Sequence, residues 1–113
     1  MSRIYKILSR AEWAKAQAQG RFDGSAVDLA DGYIHFSTAA QAPETARRHF
    51  AGQADLVVLE VEADELGDAL KWEPSRGGDL FPHLYGPLEP SRVLSVRDAP
   101  AGDDGAPTLG GLR

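Results

Sequence analysis

The chain has 113 residues, no cysteine and a formal net charge of −5, and 42% of its residues are hydrophobic. This length and composition predict one soluble globular domain, and the lack of cysteine excludes disulfides, thiolate metal ligands and cysteine nucleophiles. The negative charge disfavours binding to nucleic acid over a broad basic surface. A local basic pocket formed by Arg47, Arg48 and Arg76 is still compatible with this charge.

The chain has no segment typical of membrane targeting. Residues 1–13 lack the long apolar region of a signal peptide. No apolar run approaches the ~20 residues that span a bilayer. We therefore expect a cytoplasmic protein with no membrane partner.

The first elements are predicted from composition and capping signals. Residues 3–8 are rich in β-formers and predict a strand. Ser9 and Glu12 form a capping box, which predicts a helix that begins there and ends at Gly20. The glycine-containing segment 20–32 predicts a loop.

A second strand and helix follow this loop. Residues 33–37, YIHFS, alternate in polarity, so Ile34 and Phe36 are expected on one face and His35 on the other. Thr38 and Gln41 repeat the capping pattern and predict a second helix, whose regular part starts near residue 42 because proline follows.

The second half is predicted to consist mostly of strands. Residues 56–62 are apolar on both faces at their start, which indicates a central covered strand. Residues 71–73 predict a short strand. Residues 81–85 are expected to be extended, with Pro82 placing them at a sheet edge or a bulge.

The last strand is expected over residues 91–97, with Leu94 and Val96 pointing inward. Residues 99–113 have little to bury and predict a disordered C-terminal tail. We therefore predict an α+β fold in which residues 1–98 form a compact single domain. Two early helices would pack on a split, mostly antiparallel sheet.

The residues with chemical potential fall in two segments. His35 is either a half-exposed strand histidine or a group that faces a cleft beside Ser37 and the N-terminus of the second helix, an end favourable to anions. In the extended segment, Phe81, His83 and Tyr85 share one face, which suits a base, a nicotinamide or a sugar. The alternative is that Phe81 and Tyr85 pack in the core and His83 only bonds to a backbone group.

Other patterns are weaker. Arg76-Gly77-Gly78-Asp79 predicts a turn but lacks the spacing of a phosphate-binding loop. Arg47 and Arg48 follow Glu44 on a helix, which is typical of a solvated ion-paired face. The three histidines lack the spacing of a metal site, so no metal is expected.

Three segments carry a resemblance to a known family. These are DGYIHFSTAAQAPETARRHFAG, DLVVLEVE and LKWEPSRGGDLFPHLYGPL. They resemble small bacterial proteins of the domain-of-unknown-function family 952, over about residues 3–98. The family fold resembles that of the ADP-ribosyltransferase superfamily, which implies a split α+β structure with an NAD-binding cleft between two small sheets.

The resemblance also implies roles for individual residues. His35, with Ser37 and Thr38 after it, matches the histidine or arginine that holds a ribose or a phosphate. Tyr85 or Phe81 matches the aromatic residues that sandwich nicotinamide. The late Q/E-x-E motif of many members is missing, and Glu73 and Asp79 do not fit its pattern.

A second branch, the RNA 2′-phosphotransferases, uses histidine and arginines instead of a glutamate. This branch would involve His35, Arg47, Arg76 and His83.

Together these expectations describe a cleft that binds NAD or another small nucleotide, with NAD as a substrate and without a metal. His35, His83 and Asp79 would be catalytic, with Asp79 or Glu73 offsetting positive charge at the anomeric carbon. Substrate contacts would come from Ser37, Thr38, Arg76, Phe81 and Tyr85. The reaction would be glycosyl or phosphoryl transfer.

Two alternatives to a transferase remain. One is a binding module without chemistry, and the other is a module in which residues 81–85 contact a protein partner. The sequence does not predict an oligomeric state.

Overall fold

The computed structural model describes residues 2–112, and the side chain of Arg76 lies outside this description. Three helices precede the third strand: α1 (Arg10–Gln19), α2 (Ala26–Asp31) and α3 (Ala42–His49). The strands are β1 (Arg3–Ser9), β2 (Ile34–His35), β3 (Leu56–Glu62), β4 (Leu70–Pro74), β5 (Leu80–Leu84) and β6 (Val93–Asp98). Short 3₁₀ turns occupy Ala63–Ala69, Arg76–Gly78 and Pro90–Arg92.

Helix α1 begins and ends where its capping signals predict. The Ser9 hydroxyl accepts from the Glu12 amide at 3.0 Å, and the Glu12 carboxylate accepts from the Ser9 amide at 3.1 Å. Gly20 then adopts φ +82, a left-handed conformation that glycine reaches without strain. This part of the prediction is confirmed.

Helix α2 lies inside the segment that was expected to be a loop, and that expectation is wrong. Ser25 is its N-cap, and the Ser25 amide donates to the Asp28 carboxylate at 2.8 Å. Asp28 thus takes the position that glutamate takes in α1. The shorter acid and the surrounding glycines hide this capping signal in the sequence.

The first sheet has the strand order β1-β3-β6, and both pairs are antiparallel. Strand β3 is central, as predicted, and Leu56, Val57, Val58, Leu59 and Val61 are all buried. Val57, Leu59 and Val61 join a core that also holds Ile34 and Leu84 from the second sheet. Leu56 and Val58 face the opposite way and contact residues of α3.

The second sheet has the strand order β2-β5-β4 and is also antiparallel. Strand β5 is central, so the expectation of an edge or bulge at Pro82 is wrong. The Pro82 carbonyl accepts from the Phe36 amide at 3.0 Å, just beyond the two-residue β2. The main-chain N–H and C=O of one strand residue face the same neighbouring strand, so residue 82 faces the side of β2. Because β2 ends at His35, the N–H that proline lacks is not needed for a hydrogen bond in either pair of strands.

In strand β6, the residues that were predicted to point inward are exposed. Leu94 and Val96 are 52% and 43% exposed, whereas Val93 packs against the core. The pairing of β3 with β6 skips Leu94 between the pairs Glu60–Ser95 and Val61–Val93, so Leu94 is the extra residue of a bulge. Val96 is the register partner of the buried Leu59, and its exposure follows from the position of β6 at the edge of the sheet.

The segment after β6 packs against the domain, which differs from the expected disordered tail. Ala99 and Leu109 are buried in the cluster that contains Tyr5 and Ala46. The Gly52 amide donates to the Gly105 carbonyl at 2.9 Å, and the Thr108 amide donates to the Pro100 carbonyl at 2.7 Å. A few small apolar residues suffice here because the segment covers one side of a sheet that is already formed.

The outcome is an α+β domain with two small antiparallel sheets, as predicted, and three helices before β3 instead of two. Within residues 2–112, no helix is long and apolar enough to cross a membrane.

Candidate functional site

Two histidines form the centre of the site because their strands pair. His35 of β2 is the register partner of His83 of β5. Their ring centroids lie 5.6 Å apart, as expected for side chains of directly opposed residues on one face. Tyr33 packs against both, with its ring stacked at 4.1 Å on His83 and tilted at 4.6 Å from His35.

His35 lies between two carboxylates. Its Nδ1 is 2.6 Å from Asp28 Oδ1, and its Nε2 is 2.9 Å from Asp31 Oδ2. An ionised carboxylate only accepts, so both contacts are hydrogen bonds only when both ring nitrogens carry hydrogen. The two contacts fix the plane of the ring.

Asp28 also holds a buried lysine. Lys6 Nζ lies 2.8 Å from Asp28 Oδ2 and 3.1 Å from Oδ1, and both residues are almost completely buried. Burial alone would raise the pKa of Asp28, but hydrogen bonds from His35 and Lys6 and the charge of Lys6 lower it to about 2. Burial also lowers the pKa of Lys6, against the pull of Asp28. Five hydrogen bonds from Lys6, His35 and Ser25 keep Asp28 ionised.

His83 is oriented by a different carboxylate. Glu73 Oε1 accepts from the Tyr85 hydroxyl at 2.7 Å and lies 2.8 Å from His83 Nδ1. These bonds, the Tyr85 bond first, lower the pKa of Glu73, so the carboxylate is ionised and His83 Nδ1 is the donor. A neutral His83 then has an unprotonated Nε2, which has no hydrogen-bond partner among residues 2–112.

The Tyr85–Glu73 bond gives a direct spectroscopic prediction. The bond to the carboxylate, with a smaller contribution from desolvation, raises the pKa of Tyr85 to about 12. In a difference titration of wild type against Tyr85→Phe, tyrosinate absorbance from Tyr85 should appear only near that pH. Glu73→Gln should return the Tyr85 pKa towards about 10. The exposed control Glu89→Gln should leave it unchanged, and an unshifted wild-type titration would contradict the bond.

Both histidine rings line a cavity of about 620 Å³. His49 of α3 lines it too, so all three histidines of the chain surround one cavity. Ser37, Ser75 and Phe81 also lie on its wall. The Ser37 hydroxyl is 3.1 Å from the Thr45 hydroxyl, which itself donates to the Gln41 carbonyl at 3.2 Å. Ser37 therefore donates to Thr45, and its hydroxyl accepts no side-chain hydrogen bond within residues 2–112, so it can accept one from a ligand.

Not every residue of the predicted cleft reaches the cavity. Thr38 instead exchanges hydrogen bonds with Gln41 and is not part of the wall. Asp79 is exposed and does not line the cavity, and its carbonyl accepts from the amide of Ser75, a wall residue, at 2.9 Å. The main chain of Arg76 forms a 3₁₀ turn. Its predicted contact with a ligand involves the side chain, which the structure does not describe.

The arginines of α3 do not form a basic pocket at the cavity. Arg48 Nε lies 3.1 Å from Glu44, and Arg47 lies 3.6 Å from the same carboxylate. Both side chains are more than half exposed, as expected for a solvated ion-paired face.

The sequence reasoning missed Lys6, Asp28 and Tyr33. The signals available were a lysine within an apolar strand at residues 3–8 and a Ser25-x-x-Asp28 capping pattern. A lysine on the same face as Ile4 and Leu8 needs a buried partner, but the sequence does not say which acid provides it.

Among the described residues, no group of three or more histidine, aspartate or glutamate side chains is arranged to hold a metal ion. The arrangement instead suits hydrogen bonding and proton transfer. It combines two carboxylate-bound imidazoles, an aromatic wall and a cavity of the size that holds a small molecule, about 300–1,000 Å³.

The fold and site define a small α+β protein with a histidine-lined cavity between its elements. The family model described as protein of unknown function (DUF952) matches residues 7–96, and the chain belongs to this family. No curated protein matches it.

Solved structures show the same fold. The crystal structure of protein CC0527 from Caulobacter crescentus is 62% identical, with 96% of each chain covered and a TM-score of 0.94. A crystal structure of a double mutant of that protein is 60% identical, with the same coverage and TM-score. Its solution NMR structure is 63% identical, covers 97% of this chain and 95% of that chain, and has a TM-score of 0.87.

Proposed function

We propose that the cavity binds NAD or a related small nucleotide. The observation that carries the proposal is the cross-strand pair of His35 and His83, whose rings lie 5.6 Å apart on the wall of one cavity. The resemblance to the ADP-ribosyltransferase fold supports a nucleotide over other small molecules. The volume of about 620 Å³ is sufficient for most of such a ligand.

The aromatic residues would receive the flat part of the ligand. Tyr33 lines the cavity and stacks on His83, whereas Tyr85 is not part of the wall and supports the Tyr33 ring from 5.2 Å. A nicotinamide or a base placed on this surface gains stacking that tolerates different rings. His35, whose two ring nitrogens contact Asp28 and Asp31, would position the Asp31 carboxylate to accept from a ribose hydroxyl, and Ser37 would accept a hydrogen bond. Contact of Arg76 with the phosphates remains part of the proposal.

The reaction that this arrangement supports is glycosyl transfer. The bond between ribose C1′ and the nicotinamide nitrogen breaks, and its electron pair leaves with nicotinamide. A hydroxyl oxygen of the acceptor or of water bonds to C1′, and its proton passes to His83 Nε2. The carboxylate of Asp31, which lines the cavity, would offset the positive charge that develops on the ribose.

A second candidate is a binding module without this chemistry. Glu73 already bonds to His83 and Tyr85 and is not on the cavity wall, so it does not act as the late glutamate of the superfamily enzymes. The cavity could then bind a nucleotide without turning it over.

Calorimetry with NAD, ADP-ribose, AMP and nicotinamide tests the proposal. At least one should bind to wild type, and His35→Ala should weaken its affinity about ten-fold or more, or at least 1.4 kcal/mol. His35→Gln provides a second variant if alanine perturbs folding. Lys15→Ala, an exposed change on α1, is the matched control and should bind as wild type does.

Release of nicotinamide from NAD distinguishes the two candidates. Release by wild type that is lost in His35→Ala supports the transferase, and tight binding without release supports the binding module. If none of the four ligands binds to wild type, the proposed function is wrong.

A further inference from the structure

The Ile7 amide and carbonyl lie on the open edge of β1 and have no hydrogen bond to another described residue. The Tyr5 amide and carbonyl both bond to Ser37, at 2.8 and 2.9 Å, on the side away from β3. The Arg10 amide donates to the Asp55 carbonyl at 2.9 Å, towards the β3 side. Because successive strand residues face alternate neighbours, the N–H and C=O of Ile7 face the open edge, as those of Tyr5 do.

The direction of the main-chain hydrogen bonds of β3 leads to the same conclusion independently. Val58 is the register partner of Ile7. The Ala99 amide donates to the Leu56 carbonyl at 2.9 Å, so the main-chain groups of Leu56, and those of Val58 two residues on, face β6. The main chain of Val58 therefore cannot hydrogen-bond to that of Ile7. No hydrogen bond to the Ile7 amide or carbonyl occurs within residues 2–112.

This unpaired group is buried and borders the cavity. Ile7 is 5% exposed, and it lines the same cavity as the two histidines. A buried main-chain N–H or C=O without a partner is rare, since it forfeits the hydrogen bonds that it makes with water in the unfolded chain. On either side the edge is occupied, by the Ser37 bridge and by Glu12, which accepts from the Ser9 amide at 3.1 Å. Between Tyr5 and Ser9, the part of this edge without hydrogen bonds is therefore one residue long.

We infer that the Ile7 amide and carbonyl bind an amide-type edge of the ligand, a planar group with an acceptor beside a donor. A carboxamide provides this edge, and so does adenine through a ring nitrogen and its 6-amino group. The inference rests on the proposed function. It specifies which functional group of the nucleotide binds at β1, on a part of the cavity wall other than the histidines. Phe50 and Val27 line the cavity too and provide apolar surfaces for a flat ring.

Amide hydrogen exchange followed by NMR tests this in the unmodified protein. Without ligand, the Ile7 amide should exchange rapidly for a strand residue, while the Lys6 and Leu8 amides, which face β3, should be protected. Adenosine or nicotinamide at ten times its Kd should slow the Ile7 exchange about ten-fold. The two compounds distinguish a base edge from a carboxamide.

Matched ligands remove only the acceptor that meets the Ile7 N–H. 1-Deazaadenosine has C–H in place of the ring nitrogen beside the 6-amino group, and 3-(aminomethyl)pyridine has CH₂ in place of the carbonyl of nicotinamide. Both should lose most of the protection at Ile7. Equal protection by a ligand and its matched compound would overturn the inference, as would an Ile7 amide already protected in the free protein.

The histidine ring signals separate this inference from the proposed function. Ligands that shift His35 and His83 but leave Ile7 exchange unchanged would refute the inference alone. Protection at Ile7 without any histidine shift would support the inference and count against the proposed function. If no ligand affects either group, both are wrong.

Discussion

Replacing Asp28 with asparagine should destabilise the domain by about 3–5 kcal/mol, because it leaves a buried lysine without its counter-charge. Lys6 Nζ contacts both carboxylate oxygens, and the Lys6 side chain is 5% exposed. The amide that replaces one oxygen would also present N–H groups to donors from Lys6, Ser25 or His35. Urea unfolding monitored by tryptophan fluorescence measures the loss.

Asp31→Asn is the matched control for this change. Asp31 also contacts His35, at 2.9 Å, but its side chain is 46% exposed. Its replacement should cost at most about 1 kcal/mol. If Asp28→Asn were as mild as Asp31→Asn, the Lys6–Asp28 pair would not be the buried, mutually dependent pair that the structure shows.

The size of the expected loss follows from the position of Asp28 in the fold. Its carboxylate caps α2 through Ser25, pairs with Lys6 of β1, and accepts from the main chain and the ring of His35 in β2. One side chain thus joins three elements around the cavity. The same contacts that stabilise the domain fix the orientation of the His35 ring, so stability and the site are coupled at this residue.

Much of this architecture could be predicted because it depends on local rules. The capping box of Ser9 and Glu12 determines the start of α1, and the apolar residues 56–62 identify the central strand. Strand alternation also placed Phe81, His83 and Tyr85 on one side of their segment. The structure has His35 and His83 on one cavity wall because β2 and β5 happen to pair at these two residues.

What could not be predicted depends on contacts between distant residues. The partner of Lys6 is 22 residues away and caps a helix that the sequence signals only weakly. The exposure of Leu94 depends on how β6 pairs with β3, where Leu94 is left without a register partner. The segment after β6 becomes buried only against a surface that β1 and α3 create. Alternation and composition contain no information about such pairings.

Acid should remove the stability that the ionised Asp28 provides. The folded-state pKa of Asp28 is about 2, below its ordinary value of 3.8, so the unfolded chain takes up this proton first as the pH falls. The contribution is complete above pH 4 and is lost as the pH drops through about 2. A difference of this size is worth roughly 2 kcal/mol.

Urea unfolding at a series of pH values between 4 and 2 measures this loss. Asp31→Asn should retain the steep decline, whereas Asp28→Asn should decline less by about 2 kcal/mol. If Asp28→Asn is too unstable for this comparison, the carboxyl carbon signal of Asp28 in wild type reports the pKa directly. A midpoint near the ordinary value would mean that Lys6 and His35 do not stabilise the charge. The burial of Lys6 would then need a different explanation, because no other acid lies within ion-pair distance of Lys6 Nζ among residues 2–112.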